Sequence, residues 1–109
     1  MIAKKDNKKI GELTSAVLSL KNRNEARRFL RDLLTEKELV EFGNRWKAAR
    51  MLAKNVKYTE IEKETGLSST TVARVSKWLN NGKNGYKLML QKLNHHHNPS
   101  FEKRLAVFK

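Results

Sequence analysis

Between Gly66 and Leu79 the residues G-L-S-S-T-T-V-A-R-V-S-K-W-L sort by chemistry once they are wound at 3.6 residues per turn. Val72, Val75 and Leu79 fall on one face. Ser69, Thr70, Ala73, Arg74 and Lys77 fall on the other, with Thr71 near its edge. Ser68 or Ser69 can cap such a helix. The polar face has the means to bind DNA. Small hydroxylated residues allow close approach and can bond phosphates or base edges. The N-terminus of the helix attracts phosphate. An arginine at position 74 can fork onto guanine, and Lys77 suits a phosphate. The same pattern also describes a plain two-helix corner with solvated cations.

A reading helix needs a partner that fixes its angle. Thr59-Glu60-Ile61-Glu62 fits a capping box that opens a short helix, and Gly66 ends it. A glycine in the left-handed conformation makes the tight turn of a helix-turn-helix. Ile61, Leu67, Val72, Val75 and Leu79 would lock the two helices together. Glu62 is a departure, because many helix-turn-helix units carry a small alanine there.

The balance of charge agrees with an anionic partner. The 109 residues hold 24 Lys+Arg against 11 Asp+Glu, a net charge of +13. There is no cysteine, hence no disulfide and no thiolate metal site. The lysine-rich start lacks the apolar run of a signal peptide, and no stretch approaches the roughly 18 apolar residues of a membrane span. A cytoplasmic protein without membrane association is expected. Phosphate loops, H-E-x-x-H and G-x-S-x-G are all missing, so an enzyme is not expected. His95-His96-His97 cannot all face one ion from a regular helix; no metal site is expected, and a solvated helix end is the simpler reading.

The rest of the chain reads as all-α. Its single proline is Pro99, and no alternating strand pattern occurs. Residues 1–9 form a basic N-terminal arm, residues 10–94 the helical domain and residues 95–109 a basic C-terminal tail. A first helix over Ile10–Leu20 shows Leu13, Val17, Leu18 and Leu20. A second, with Asn24 as its cap, shows Ala26, Phe29, Leu30, Leu33 and Leu34. Thr35 and Glu38 form a capping box for a third helix reaching about Lys54, lined on one side by Leu39, Phe42, Trp46, Ala49 and Leu52. Asn55 suits a left-handed stop, and a turn over Asn81–Gly85 leads to a last helix over Tyr86–Asn94. The apolar stripes of the first two helices fit either a dimer or a bundle within one chain.

The segment L-L-T-E-K-E-L-V-E-F-G-N-R-W, Leu33 to Trp46, followed by the helix-turn-helix in the same register, resembles the Trp repressor family over about Thr14 to Leu93. That family implies an intertwined all-helical homodimer, with two reading helices about one DNA turn (~34 Å) apart on a palindromic double-stranded operator. It also implies a transcriptional regulator, most simply a repressor. In the family the indole of L-tryptophan lies between two arginines, which correspond to Arg45 and Arg74, and Thr35 stands near the ligand's carboxylate. The implied effector pocket is therefore Thr35, Arg45, Arg74, Val75 and Trp78. Two of these residues depart from the ligand-binding pattern. Val75 replaces a glycine, adding bulk where the ring would lie. Trp78 replaces a serine that holds the ligand's amino group; it either packs in the core or approaches the space between the arginines. L-tryptophan is accordingly not expected as a cofactor. The competing functions are a charge-driven RNA- or ribosome-binding protein, a helix-turn-helix module of replication initiation, and a protein–protein adaptor on a helical scaffold.

Overall fold

The computed structural model describes residues 2–97, with side chains through Asn94. Among the described residues there are six helices and no strand: α1 Lys4–Leu18, α2 Arg23–Leu33, α3 Glu36–Ala53, α4 Tyr58–Thr65, α5 Ser69–Asn81 and α6 Gly85–His97. The chain divides into two compact units between Val40 and Glu41, and α3 begins in the first and continues in the second.

In the first unit, α1 starts at Lys4, earlier than the sequence reading placed it. Lys4, Lys5, Lys8 and Lys9 therefore lie on a helix and not in an extended arm. Asp6 in the first turn favours this start through the helix dipole, and Lys9 lies 3.9 Å from it. Asn22, not Asn24, caps α2. Its side chain accepts from the Glu25 N–H at 2.9 Å, and the Glu25 carboxylate accepts from the Lys21 N–H at 2.9 Å. The pairing has the reciprocity of a capping box, displaced by one residue. The Thr35–Glu38 box forms as expected: Glu38 accepts from the Thr35 N–H at 2.9 Å, and Thr35 Oγ1 accepts from the Glu38 N–H at 3.1 Å. No residue of α1 or α2 is buried. Leu13, Val17, Leu18, Leu30 and Leu33 all stay exposed.

The second unit holds the core. Ala48 and Ala49 of α3, Ile61 of α4, and Val72 and Val75 of α5 are fully buried together. Trp46, Met51, Leu52, Val56, Leu67 and Tyr86 pack around them. The buried alanines matter because they leave space for the larger Ile61, Val72 and Val75. Each of those three side chains contributes roughly 1.5–3 kcal/mol on burial. The expected stripe on α3 is therefore displaced. Ala48 and Met51 join it, whereas Phe42 remains exposed. Asn55 (φ 61°) makes the left-handed stop after α3. The expected capping box at Thr59 does not form. Lys57 is the N-cap of α4 without a side-chain hydrogen bond, and Thr59 is already inside the helix. The last helix starts at Gly85 and includes the backbone of the three histidines, so these do not stand past its end. The remainder of the expected C-terminal tail, residues 98–109, lies outside the described residues.

Two outcomes test this framework. The Glu38 carboxyl is held below its ordinary value of 4.5, first by the Thr35 backbone N–H and then by the Thr35 side chain. A lowered folded-state value means that its contribution is present above pH 4.5 and is lost as the pH falls through that lower value. Acid titration followed by NMR should show the start of α3 fraying below that point, and Glu38→Gln should flatten the dependence. Gly66→Ala should lower stability by about 1–2 kcal/mol in urea denaturation, because a Cβ is disfavoured in the left-handed conformation.

Candidate nucleic-acid interface

The turn between α4 and α5 is fixed by four adjacent residues. Gly66 adopts φ 74° and ψ 4°, and its N–H donates to the Glu62 carbonyl at 2.8 Å. Thr65, which is buried, donates its hydroxyl to the Ile61 carbonyl at 2.7 Å and accepts from the Leu67 N–H at 3.2 Å. One hydroxyl thus ties α4 to the residue beyond the glycine. Sequence reasoning missed Thr65; its signal was a short hydroxylated side chain just before the turn glycine. Ser68 is the N-cap of α5: its Oγ accepts from the Thr71 N–H at 3.1 Å and lies 3.0 Å from the Thr71 hydroxyl. Glu62, the departure from the small residue expected there, is half-buried, and Ile61 and Thr65 carry the contact instead.

The two faces of α5 are those read from the sequence. Val72, Val75 and Leu79 are buried. Ser69, Thr70, Ala73, Arg74 and Lys77 are exposed, and Thr71 is half-buried. Ser68 differs from its neighbours, since its oxygen is already engaged in capping. At the start of α5 the Ser69 and Thr70 N–H groups point out of the first turn, where a helix leaves its donors free.

Ion pairing divides the cations of this unit. Arg45 donates to Glu41 at 2.7 Å, and its guanidinium lies 5.5 Å from the Phe42 ring centre. Lys47 pairs with Glu64 at 3.4 Å. Helix α5 contains no acidic residue, and among the described residues neither Arg74 nor Lys77 has a carboxylate partner. Arg74 and Lys77 share this lack of a carboxylate partner with other cations of the unit, among them Arg50, Lys54 and Lys63.

The five residues of the implied effector pocket are placed as follows. Thr35 caps α3. Arg45 is tied to Glu41 and Phe42. Val75 is fully enclosed among Ala48, Ala49, Ile61 and Val72. Trp78 is not a core residue: 45% of it is exposed, and the Arg74 guanidinium lies over its ring, 6.0 Å from the centre. The core indole is Trp46, which stacks on Tyr86 with centroids 6.3 Å apart and planes 17° apart. In the sequence Tyr86 marks only the start of the last helix, because two helices, α4 and α5, separate it from Trp46. Among the described residues no acidic or histidine cluster has the arrangement of a metal site.

Fold and exposed face together define a helix-turn-helix protein of the all-helical kind. A family model for the Trp repressor protein matches residues 8–94. The protein YerC of Bacillus subtilis is 38% identical over 92 residues, covering 84% of this chain and 88% of YerC. A TrpR-like protein from Eubacterium eligens superposes with a TM-score of 0.75 at 35% identity, covering 79% of this chain and 89% of that one. A putative Trp repressor from Staphylococcus aureus gives 0.73 at 35% identity, covering 78% and 85%. This chain belongs to the Trp repressor family.

Val75 tests whether the site is core or cavity. Val75→Ala should destabilise the fold by about 2 kcal/mol in chemical denaturation, the cost of a void in a packed core. A stability unchanged by that substitution would mean that the side chain does not contribute to packing.

Proposed function

We propose that this protein is a sequence-specific transcriptional regulator that binds double-stranded DNA as a homodimer, most simply as a cytoplasmic repressor. It is a binding protein rather than an enzyme. One observation carries the reading: α5 presents Ser69, Thr70, Arg74 and Lys77 outward, unpaired with any carboxylate, above a fully buried Val72–Val75 face. A helix so anchored can enter the major groove, with its first-turn N–H groups and hydroxyls on phosphates and Arg74 on a base edge. Membership of the Trp repressor family supports the same use. The dimer is supported by the apolar side chains left uncovered on one chain, among them Leu13, Val17, Leu30, Leu33, Leu88 and Met89.

The regulator does not respond to L-tryptophan: it is either permanently competent to bind or takes another effector. Arg45 and Arg74 each already face an aromatic ring of the chain itself, Phe42 and Trp78 respectively. Calorimetric titration with L-tryptophan should give no heat of binding at micromolar ligand; tight binding that also raises DNA affinity would sink this reading.

Selection of bound duplexes from a random pool should return a palindrome with half-sites about one turn apart, preferred by ~10³-fold or more over random DNA and with a steep salt dependence. A steep salt dependence without sequence preference would instead indicate a charge-driven RNA- or ribosome-binding protein. Neither property would indicate an adaptor.

A further inference from the structure

Trp78 is 45% exposed and lies on the same helix as the exposed cations Arg74 and Lys77. Trp78 is the one exposed large apolar side chain of α5. It stands one turn after Arg74, and the guanidinium lies over its ring at 6.0 Å. Helix α5 has no acidic residue, so the ring is the side-chain partner that the structure gives Arg74. The backbone under the indole is held as well. The Gly82 N–H donates to the Trp78 carbonyl at 2.9 Å, and a Cβ at Gly82 would collide with that same oxygen. Asn80 closes the preceding carbonyl step by donating to Ser76 at 2.9 Å.

The geometry points to Trp78 as a positioning residue for base reading: its indole restrains the Arg74 guanidinium beside the ring at the protein surface, where it can make a two-bond contact with guanine. This role rests on the DNA-binding reading above. An arginine on a flexible stem loses rotamer freedom when it forks onto a base edge. A ring that already restrains the guanidinium plane reduces that loss. A carboxylate in the ring's place would restrain Arg74 equally well but would compete with the base for its donors. The ring quadrupole attracts the cation through the face of the guanidinium and leaves its in-plane N–H groups free. That is the physical reason for an indole here rather than an acid. Arg45, held by Glu41, shows the other arrangement on α3.

The test is a double-mutant cycle in the full chain, read as affinity for the selected operator and for the same operator with the Arg74-contacted base pair changed. Trp78→Ala should weaken operator binding about two- to five-fold, the scale of an exposed cation–π contact, and should lower the preference at that one base pair. In an Arg74→Ala background the same substitution should have no effect. Trp78→Phe, which keeps a ring, should restore most of the preference, and Trp78→Leu, which keeps only bulk, should not. Because Trp78 is half outside the fold, these variants should keep the helical circular dichroism of the parent. If the loss from Trp78→Ala is equal in both backgrounds, or equal across all sequences, the indole touches DNA for itself and the positioning role is overturned while the DNA reading stands. If Arg74→Ala costs nothing on a bound operator, there is nothing to position and the role is overturned likewise. If the chain prefers no duplex at all, the DNA reading fails and takes the role with it.

Discussion

The outward face of α5 depends on how closely α5 can approach α3 and α4. Ala48 and Ala49 are fully buried where the helices meet, and Ile61, Val72 and Val75 fill the space that those small residues leave. Side chains that interdigitate at this density have few alternative arrangements, so the rotation of α5 about its own axis is set. Once Val72 and Val75 are inside, the 3.6-residue repeat leaves Thr70, Arg74 and Lys77 no place but outside. The chemistry of the surface is thus a consequence of packing on the hidden side.

The turn works to the same end. Gly66 supplies a backbone conformation that other residues resist, and the Thr65 hydroxyl bridges the Ile61 carbonyl and the Leu67 N–H across it. Ser68 then satisfies the Thr71 N–H and starts α5 without delay. Loop freedom between the two helices is nearly eliminated. A reading helix on a slack tether would have to be ordered by its ligand, with a corresponding loss of affinity. Electrostatics add to the arrangement: Glu41 pairs with Arg45 and Glu64 with Lys47, and α5 carries no carboxylate of its own.

The first unit follows a different logic. Its helices are well started, by Asn22 with Glu25 and by Thr35 with Glu38, yet none of α1 or α2 is buried. Local signals were enough to make these helices, and their apolar stripes remain uncovered in a single chain. Among the described residues no helix is long and apolar enough to cross a membrane. A second copy of the chain, as proposed above, is the partner that suits the stripes.

By itself the sequence determined the all-helical class, the glycine turn, a serine cap at 68 or 69, the Thr35–Glu38 box and the division of α5 into an apolar and a polar face. Each of these rests on interactions within a few residues, whose spacing is visible in a string of letters. Helix starts without a side-chain cap, at Lys4 and Lys57, were misplaced because capping patterns cannot mark an end that uses none. The family resemblance was legible too, from Leu33–Trp46 and the turn that follows. Only the tertiary structure decided which aromatic goes inside. Trp46 and Trp78 are the same residue on two amphipathic helices, and nothing local distinguishes them. Trp46 finds Tyr86 across the core, whereas the buried side of α5 is already occupied by Val72, Val75 and Leu79, which leaves Trp78 outside with Arg74. Burial is a competition among residues distant in the chain, and its outcome is settled by volume rather than by spacing.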